Sequence, residues 1–287
     1  MKHYYKLITI LIVSFLHNGC EEIPIGKAKK NGLYGPVKSF TQEVYMPIYK
    51  NGKLEKWIKG EHSIKEGNFS KVYDEAGNLT EWHLFDNKAK QTDRTIYFYH
   101  KDSLLQEEHY WSPRQQYVLK YKYDQNNRKS EVLKYDKNDE LLSTYFFEYD
   151  ADQNRIAEFE VSNQKDTIVL RRMVYDKHSQ LKKETVFRKG NFRSVIFHYT
   201  RNNLGQVREE HITNLQGRSQ ARTQYKYDQY GNVIEELVYV AHSNGFRNTR
   251  RIKMEYEFDE FGNWISCNEY DKGIPISDII RKVEYFE

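Results

Sequence analysis

The sequence predicts an all-β fold, a repetitive antiparallel meander that makes one long, twisted, curved or partly rolled sheet. Three observations carry this. A tyrosine-aspartate signature returns about every 26 residues from Tyr73 to the C-terminus, with its aspartate slot at positions 74, 100, 124, 150, 176, 200, 228 and 259. Apolar side chains stand one and three residues before that slot with a charged one between them, as in Tyr121-Lys122-Tyr123 and Tyr225-Lys226-Tyr227. That period of two belongs to a strand with one packed and one solvated face. The slot itself opens a turn, so one supersecondary unit is copied and stacked along the chain.

Taken in order, residues 1–19 read as a signal peptide: Lys2 and Lys6 precede an apolar run from Leu7 to Leu16, too short for the ~20 residues that cross a bilayer as a helix. Gly19 directly before Cys20 resembles a bacterial lipoprotein signal. That resemblance implies an acylated Cys20, a lipid anchor in the membrane and an address in the bacterial cell envelope, at the outer membrane, periplasmic or surface-exposed. Residues 20–33, with lysines, glycines and a proline but no alternation, read as the lipidated tether. Residues 34–287 read as a single elongated β domain, opened by GPVKSF at Gly35–Phe40 and early hairpin turns at Asn51-Gly52 and Lys65-Glu66-Gly67-Asn68.

The repeat turns place aspartate first and glycine fourth at Asp74 and Gly77, Asp228 and Gly231, and Asp259 and Gly262. A type I turn followed by a left-handed residue in a bulged hairpin demands this order, and Asn127 fills the glycine slot in another copy. A second strand follows from Leu79, Val233 or Trp264. A second turn signal then appears mid-period, at Tyr135-Asp136-Lys137-Asn138, Arg188-Lys189-Gly190-Asn191 and His242-Ser243-Asn244-Gly245. Gly273 and Pro275 mark the last hairpin turn.

With Tyr123-Asp124, Tyr149-Asp150, Tyr227-Asp228 and the pairs Gly77-Asn78, Gly231-Asn232 and Gly262-Asn263, residues 70 to 287 resemble the YD repeats of the Rhs and teneurin type, as found in short bacterial YD-repeat lipoproteins. Long members wind this sheet into a hollow shell around a toxic domain. Eight copies without cargo imply an open or partly rolled sheet here.

Composition narrows the function classes. The chain is 30% charged with a mean hydropathy of −0.89, yet 15% aromatic, which sets it apart from disordered sequences. Without Lys2 and Lys6, 43 basic side chains face 41 acidic ones, interspersed, so no nucleic-acid partner is expected. Beyond Cys20 only Cys267 remains, so no intramolecular disulfide is expected. The ten histidines show no zinc-ligand spacing, and neither a metal nor a cofactor is expected.

The repeated aspartates could be calcium ligands, but an aspartate at the first turn position bonds its own backbone two residues on, and that accounts for them. The acidic residues after the turn, Glu81, Glu131, Glu209, Glu210, Glu235 and Glu236, could be paired catalytic carboxylates, but they recur opposite lysines and arginines as cross-strand ion pairs on a solvated face would. Trp82 and Trp111 do not follow the repeat and are the candidate ligand-binding residues, against the alternative that they fill the core. Charges on both sides of segments such as Lys182-Lys183-Glu184 and Arg208-Glu209-Glu210 exclude a lipid-facing band. Three function classes stay open. The leading one is a non-catalytic envelope lipoprotein that binds or scaffolds glycan or protein through its curved face; the others are a partner of a secreted toxin system and an enzyme.

Overall fold

The structure, a computed structural model, describes residues 33–61, 67–101, 103–187, 194–242 and 245–287. The expected signal peptide, Cys20, the tether up to residue 32, the turn at 188–191 and parts of the turns at 65–68 and 242–245 lie outside the described residues. Leu33, assigned to the tether, is instead buried with Val37, Phe40, Phe69 and Tyr73.

Among the described residues nineteen strands run from β1 (Val37–Lys50) and β2 (Lys53–Lys59) through β3 (Asn68–Tyr73) to β18 (Trp264–Asp271) and β19 (Ile274–Tyr285). From β3 onward each strand pairs antiparallel with the next, so the expected meander is the observed one. The sheet goes further than partial rolling. The first half of β1 pairs with β3 at Ser39–Gln42 and with β19 at Val37–Tyr45, closing an eighteen-strand barrel of β1 and β3–β19. The second half of β1 pairs with β2 as a hairpin turned at Asn51 and Gly52, both with positive φ (51° and 76°), as a type I′ turn requires. Lys272 and Gly273 do the same between β18 and β19.

The closing seam is stitched by side chains. Arg281 Nε donates to Gln42 Oε1 at 2.9 Å and Ser39 Oγ to Glu284 Oε2 at 2.8 Å. Asn263, in the last repeat turn, accepts from Tyr34 N–H at 2.7 Å and donates to the Tyr34 carbonyl at 2.8 Å. Its counterparts Asn78 and Asn154 donate to Ser103 and Ser179 in the turn of the following repeat. At the turn of Asn263 the chain entry at Tyr34 takes that place.

Each repeat turn is built alike. In the copy at Asp124, Oδ1 accepts the backbone N–H groups of Asn126 and Arg128 (2.8 and 3.0 Å), and Asn127 N–H reaches the Asp124 carbonyl. Asp74, Asp228 and Asp259 accept the N–H four residues on in the same way. The fourth position is left-handed throughout: Gly77 at φ 76°, Asn127 at 58°, Gly231 at 91° and Gly262 at 87°. The mid-period turns repeat the pattern, with Asp86 and Ala89 (φ 61°), Asp136 and Asp139 (φ 61°), and Asn214 and Gly217 (φ 76°). A β-branched residue is strained at such a position. Gly231→Val is therefore expected to lower stability by roughly 1–3 kcal/mol, and Gln229→Val in the same turn by much less. Equal denaturation midpoints for the two variants would contradict the turn assignment.

The tyrosine before the slot has its own task. Its ring lies on the inner face and its hydroxyl donates back to a carbonyl of the previous repeat: Tyr99 to Leu79, Tyr123 to Leu105, Tyr149 to Lys129, Tyr175 to Arg155 and Tyr227 to Val207, at 2.7–2.9 Å. A phenylalanine would pack there but leave that carbonyl without the bond, worth about 1 kcal/mol net. Two copies use substitutes. Where Phe258 lacks a hydroxyl, Tyr256 bonds the Val233 carbonyl, and Arg201 Nη2 bonds the Leu181 carbonyl.

Arg201 corrects the register of one copy. The slot read at Thr200 is filled by Asn202, whose Oδ1 accepts the N–H groups of Leu204 and Gln206, with Gly205 left-handed at φ 79°. A two-residue slip follows because neither the tyrosine nor the aspartate of the signature is present there.

Candidate binding groove on the outer wall

The two faces of the wall divide the chemistry. Residues one and three before each slot point inward, where Tyr117, Leu119, Tyr121, Val132 and Phe147 form one of three buried clusters. The residue two before the slot points outward and pairs with the one seven after it: Lys122 with Glu131, and Lys226 with Glu235. These outer pairs are ion pairs at 2.8 and 2.6 Å; Glu235 also holds Arg251 at 2.6 Å, and Glu81 holds Arg94 at 3.1 Å. Strands of seven to nine residues are about as tall as a lipid-facing band of ~25 Å, so these charges would sit within it. The outer wall is a water-facing wall.

The post-turn glutamates are not all on that face. A bulge beside the tyrosine, as between Lys226 and Tyr227, shifts the alternation, so the residue eight after the slot points inward. Glu209 and Glu235 face out as expected, whereas Glu210 and Glu236 face in, beside Tyr199 and Tyr225 on the neighbouring strands. Glu108, Glu158 and Glu184 occupy the same inner position. Tyr121 O–H donates to Glu108, and Arg171 pairs with Glu184 at 3.2 Å. Burial, with the nearby charges of Glu184 and Glu236, pushes the Glu210 carboxyl up to about 7. The doublets Glu107-Glu108, Glu209-Glu210 and Glu235-Glu236 were the available signal: two adjacent acids cannot share one face of a strand.

The two candidate tryptophans fall on opposite faces and cannot line one groove, which corrects the sequence reading of them as a pair. Trp82 lies inward against the cluster of Phe40, Phe69 and Tyr73, with Lys71 Nζ 5.3 Å from its ring. Trp111 ends β6 (Leu105–Trp111) on the outer wall opposite Arg94 of β5 (Gln91–Tyr99), and is 40% exposed. Around it opens a groove of about 530 Å³, lined by Gln91, Arg94, His109, Trp111, Gln116 and Lys137 together with Ile96, Val118, Tyr110 and Tyr117. Behind the groove, on the inner face, Tyr110 and Tyr117 stack at 4.6 Å, and Tyr110 is tied by its hydroxyl to Asp93. Glu81 fixes one end of Arg94 while its Nε stays buried without a hydrogen-bond partner, and Glu107 holds His109 at 2.8 Å. A second depression of about 620 Å³ near Leu204 and Leu237 includes Lys226 and Glu235, which already satisfy each other.

No family model and no curated protein matches the chain. Among solved structures it is similar to TcdB2-TccC3-TEV, at 11% identity and a TM-score of 0.37 over 82% of this chain and 15% of that one. It is also similar to porin-like proteins from Bacteroides uniformis (11% identity, TM-score 0.37, 86% of this chain and 96% of that one) and Bacteroides vulgatus (11%, 0.36, 87% and 98%). The chain thus spans a small part of the first protein and nearly all of the other two. At these values the likeness is one of β architecture and carries nothing about activity.

Proposed function

We propose that this chain is a non-catalytic binding or scaffold module, a YD-repeat barrel held in the bacterial cell envelope by a lipid on Cys20, which presents its outer wall to a glycan or another envelope protein. The observation that carries this reading is how the chemically capable side chains are used. The repeat aspartates are consumed in their own turns, the tyrosine hydroxyls in bonds to the previous repeat, and the outward glutamates in ion pairs. Trp111 is outside all three uses: it is half-exposed on the water-facing wall, and its ring supports no cluster of the inner face. Exposed aromatic rings backed by a rigid wall are the usual anchors of recognition surfaces.

The test is retention of the full chain on arrays of bacterial glycans and of envelope proteins, beside its Trp111→Ala variant. Wild-type binding that the variant loses, at an unchanged melting temperature, is the expected result. A chain that binds neither class at micromolar concentration overturns the reading.

A further inference from the structure

We infer that the outer-wall groove at Trp111 is a binding site for an anionic sugar, a carboxylated or sulfated saccharide; this rests on the binding role proposed above and goes beyond it in site and ligand class. The lining combines one indole face, two carboxamides (Gln91 and Gln116) and three basic groups (Arg94, His109 and Lys137). Among the described residues no carboxylate lines it. Glu81 and Glu107 hold Arg94 and His109 without lining the groove. Lys137 projects from the turn that begins at Asp136, and Asp136 is occupied with the N–H groups of Asn138 and Glu140.

Each part selects for the same chemistry. An indole packs against the flat C–H face of a sugar, while carboxamides can both donate to and accept from its hydroxyls. The guanidinium and ammonium favour an acidic substituent over a neutral one. At about 530 Å³ the groove falls within the range of roughly 300–1,000 Å³ typical of small-ligand sites. It is also open along the wall, so it suits an internal stretch of a chain.

Titration calorimetry of the full chain tests this with three probes: an oligogalacturonate, a chondroitin sulfate oligosaccharide and neutral maltohexaose. One or both charged probes should bind and maltohexaose should not, and which of them binds identifies a carboxylate or a sulfate as the recognised group. Binding should weaken as salt rises from about 0.05 to about 0.5 M. Lys137→Gln, on an exposed turn, is expected to weaken it about three- to fivefold, as for a partly solvated ion pair. Trp111→Ala is expected to weaken it about tenfold or more, as for a central aromatic anchor. Maltohexaose binding as tightly as the charged probes, or charged-probe binding untouched by both variants, overturns the inference. If none of these probes binds while the array shows another glycan or a protein retained, the groove assignment fails and the binding role stands. If the array is also blank, both fail.

Discussion

Tyr121→Ala is expected to lower stability by roughly 3–5 kcal/mol, the cost of a large aromatic removed from a packed site. Tyr121 is 6% exposed and sits in the cluster of Tyr117, Leu119, Val132 and Phe147. Its loss does more than open a cavity. Its hydroxyl is a donor to Glu108, and the Lys129 ammonium lies 4.8 Å over its ring, so truncation leaves an acid and a base on the inner wall without their shared neighbour. Tyr121→Phe separates the two effects. It keeps the ring and removes only the donor, and should cost roughly 1–3 kcal/mol because Glu108 is mostly buried. Urea denaturation of the three proteins measures both steps, and a Phe variant as damaged as the Ala variant would show that the hydroxyl alone matters.

Stability is expected to fall as pH rises from about 4.5 to about 7, because of Glu210. Its carboxyl is pushed up to about 7 by burial and by Glu184 and Glu236, so the folded state holds the proton more tightly than the unfolded chain, whose ordinary value is 4.5. A raised folded value gives stability that is full below the unfolded value and lost as pH climbs through the folded one. At 1.36 kcal/mol per unit the loss reaches roughly 3 kcal/mol, reduced to the extent that water reaches the group. Glu210→Gln keeps the shape without the charge. Its stability should match the wild type near pH 5 and exceed it near pH 8, and parallel pH profiles would place the Glu210 carboxylate in water.

Much of this was legible in the chain because each repeat states the same rule eight times. The aromatic positions one and three before Asp124 or Asp228 face inward together, and the left-handed slot is filled by Gly77, Asn127, Gly231 and Gly262 in turn. What escaped the reading depends on contacts or on one-residue shifts. Closure joins Val37–Tyr45 to Asp278–Tyr285, segments about 240 residues apart whose pairing no local pattern encodes. The bulge after each turn reverses the alternation, which hid Glu210 and Glu236 on the inner wall while Glu209 and Glu235 stayed outside. Trp82 and Trp111 stand eight and eleven residues after their slots, both beyond the bulge, so simple alternation puts them on opposite faces. Asn202 escaped because Arg201 replaces the tyrosine, and only the geometry of its bond to the Leu181 carbonyl shows the equivalence. At the groove, Arg94, His109, Gln116 and Lys137 come from four successive parts of the meander, and pairing alone brings them beside Trp111.

Closure into a barrel is the claim on which the rest depends, since an open sheet would expose the inner tyrosines and glutamates on one broad face. Ser39 and Glu284 are partners across the seam, with side chains already 2.8 Å apart on the outer wall. The double variant Ser39→Cys with Glu284→Cys should therefore oxidise to an intramolecular disulfide, seen as a faster band on a non-reducing gel that dithiothreitol reverses. A control that pairs Ser39→Cys with Lys122→Cys, on the outer face of β7 (Gln116–Tyr123), should stay reduced under the same conditions. Failure of the seam pair to cross-link, or cross-linking no faster than the control, would contradict the closed barrel.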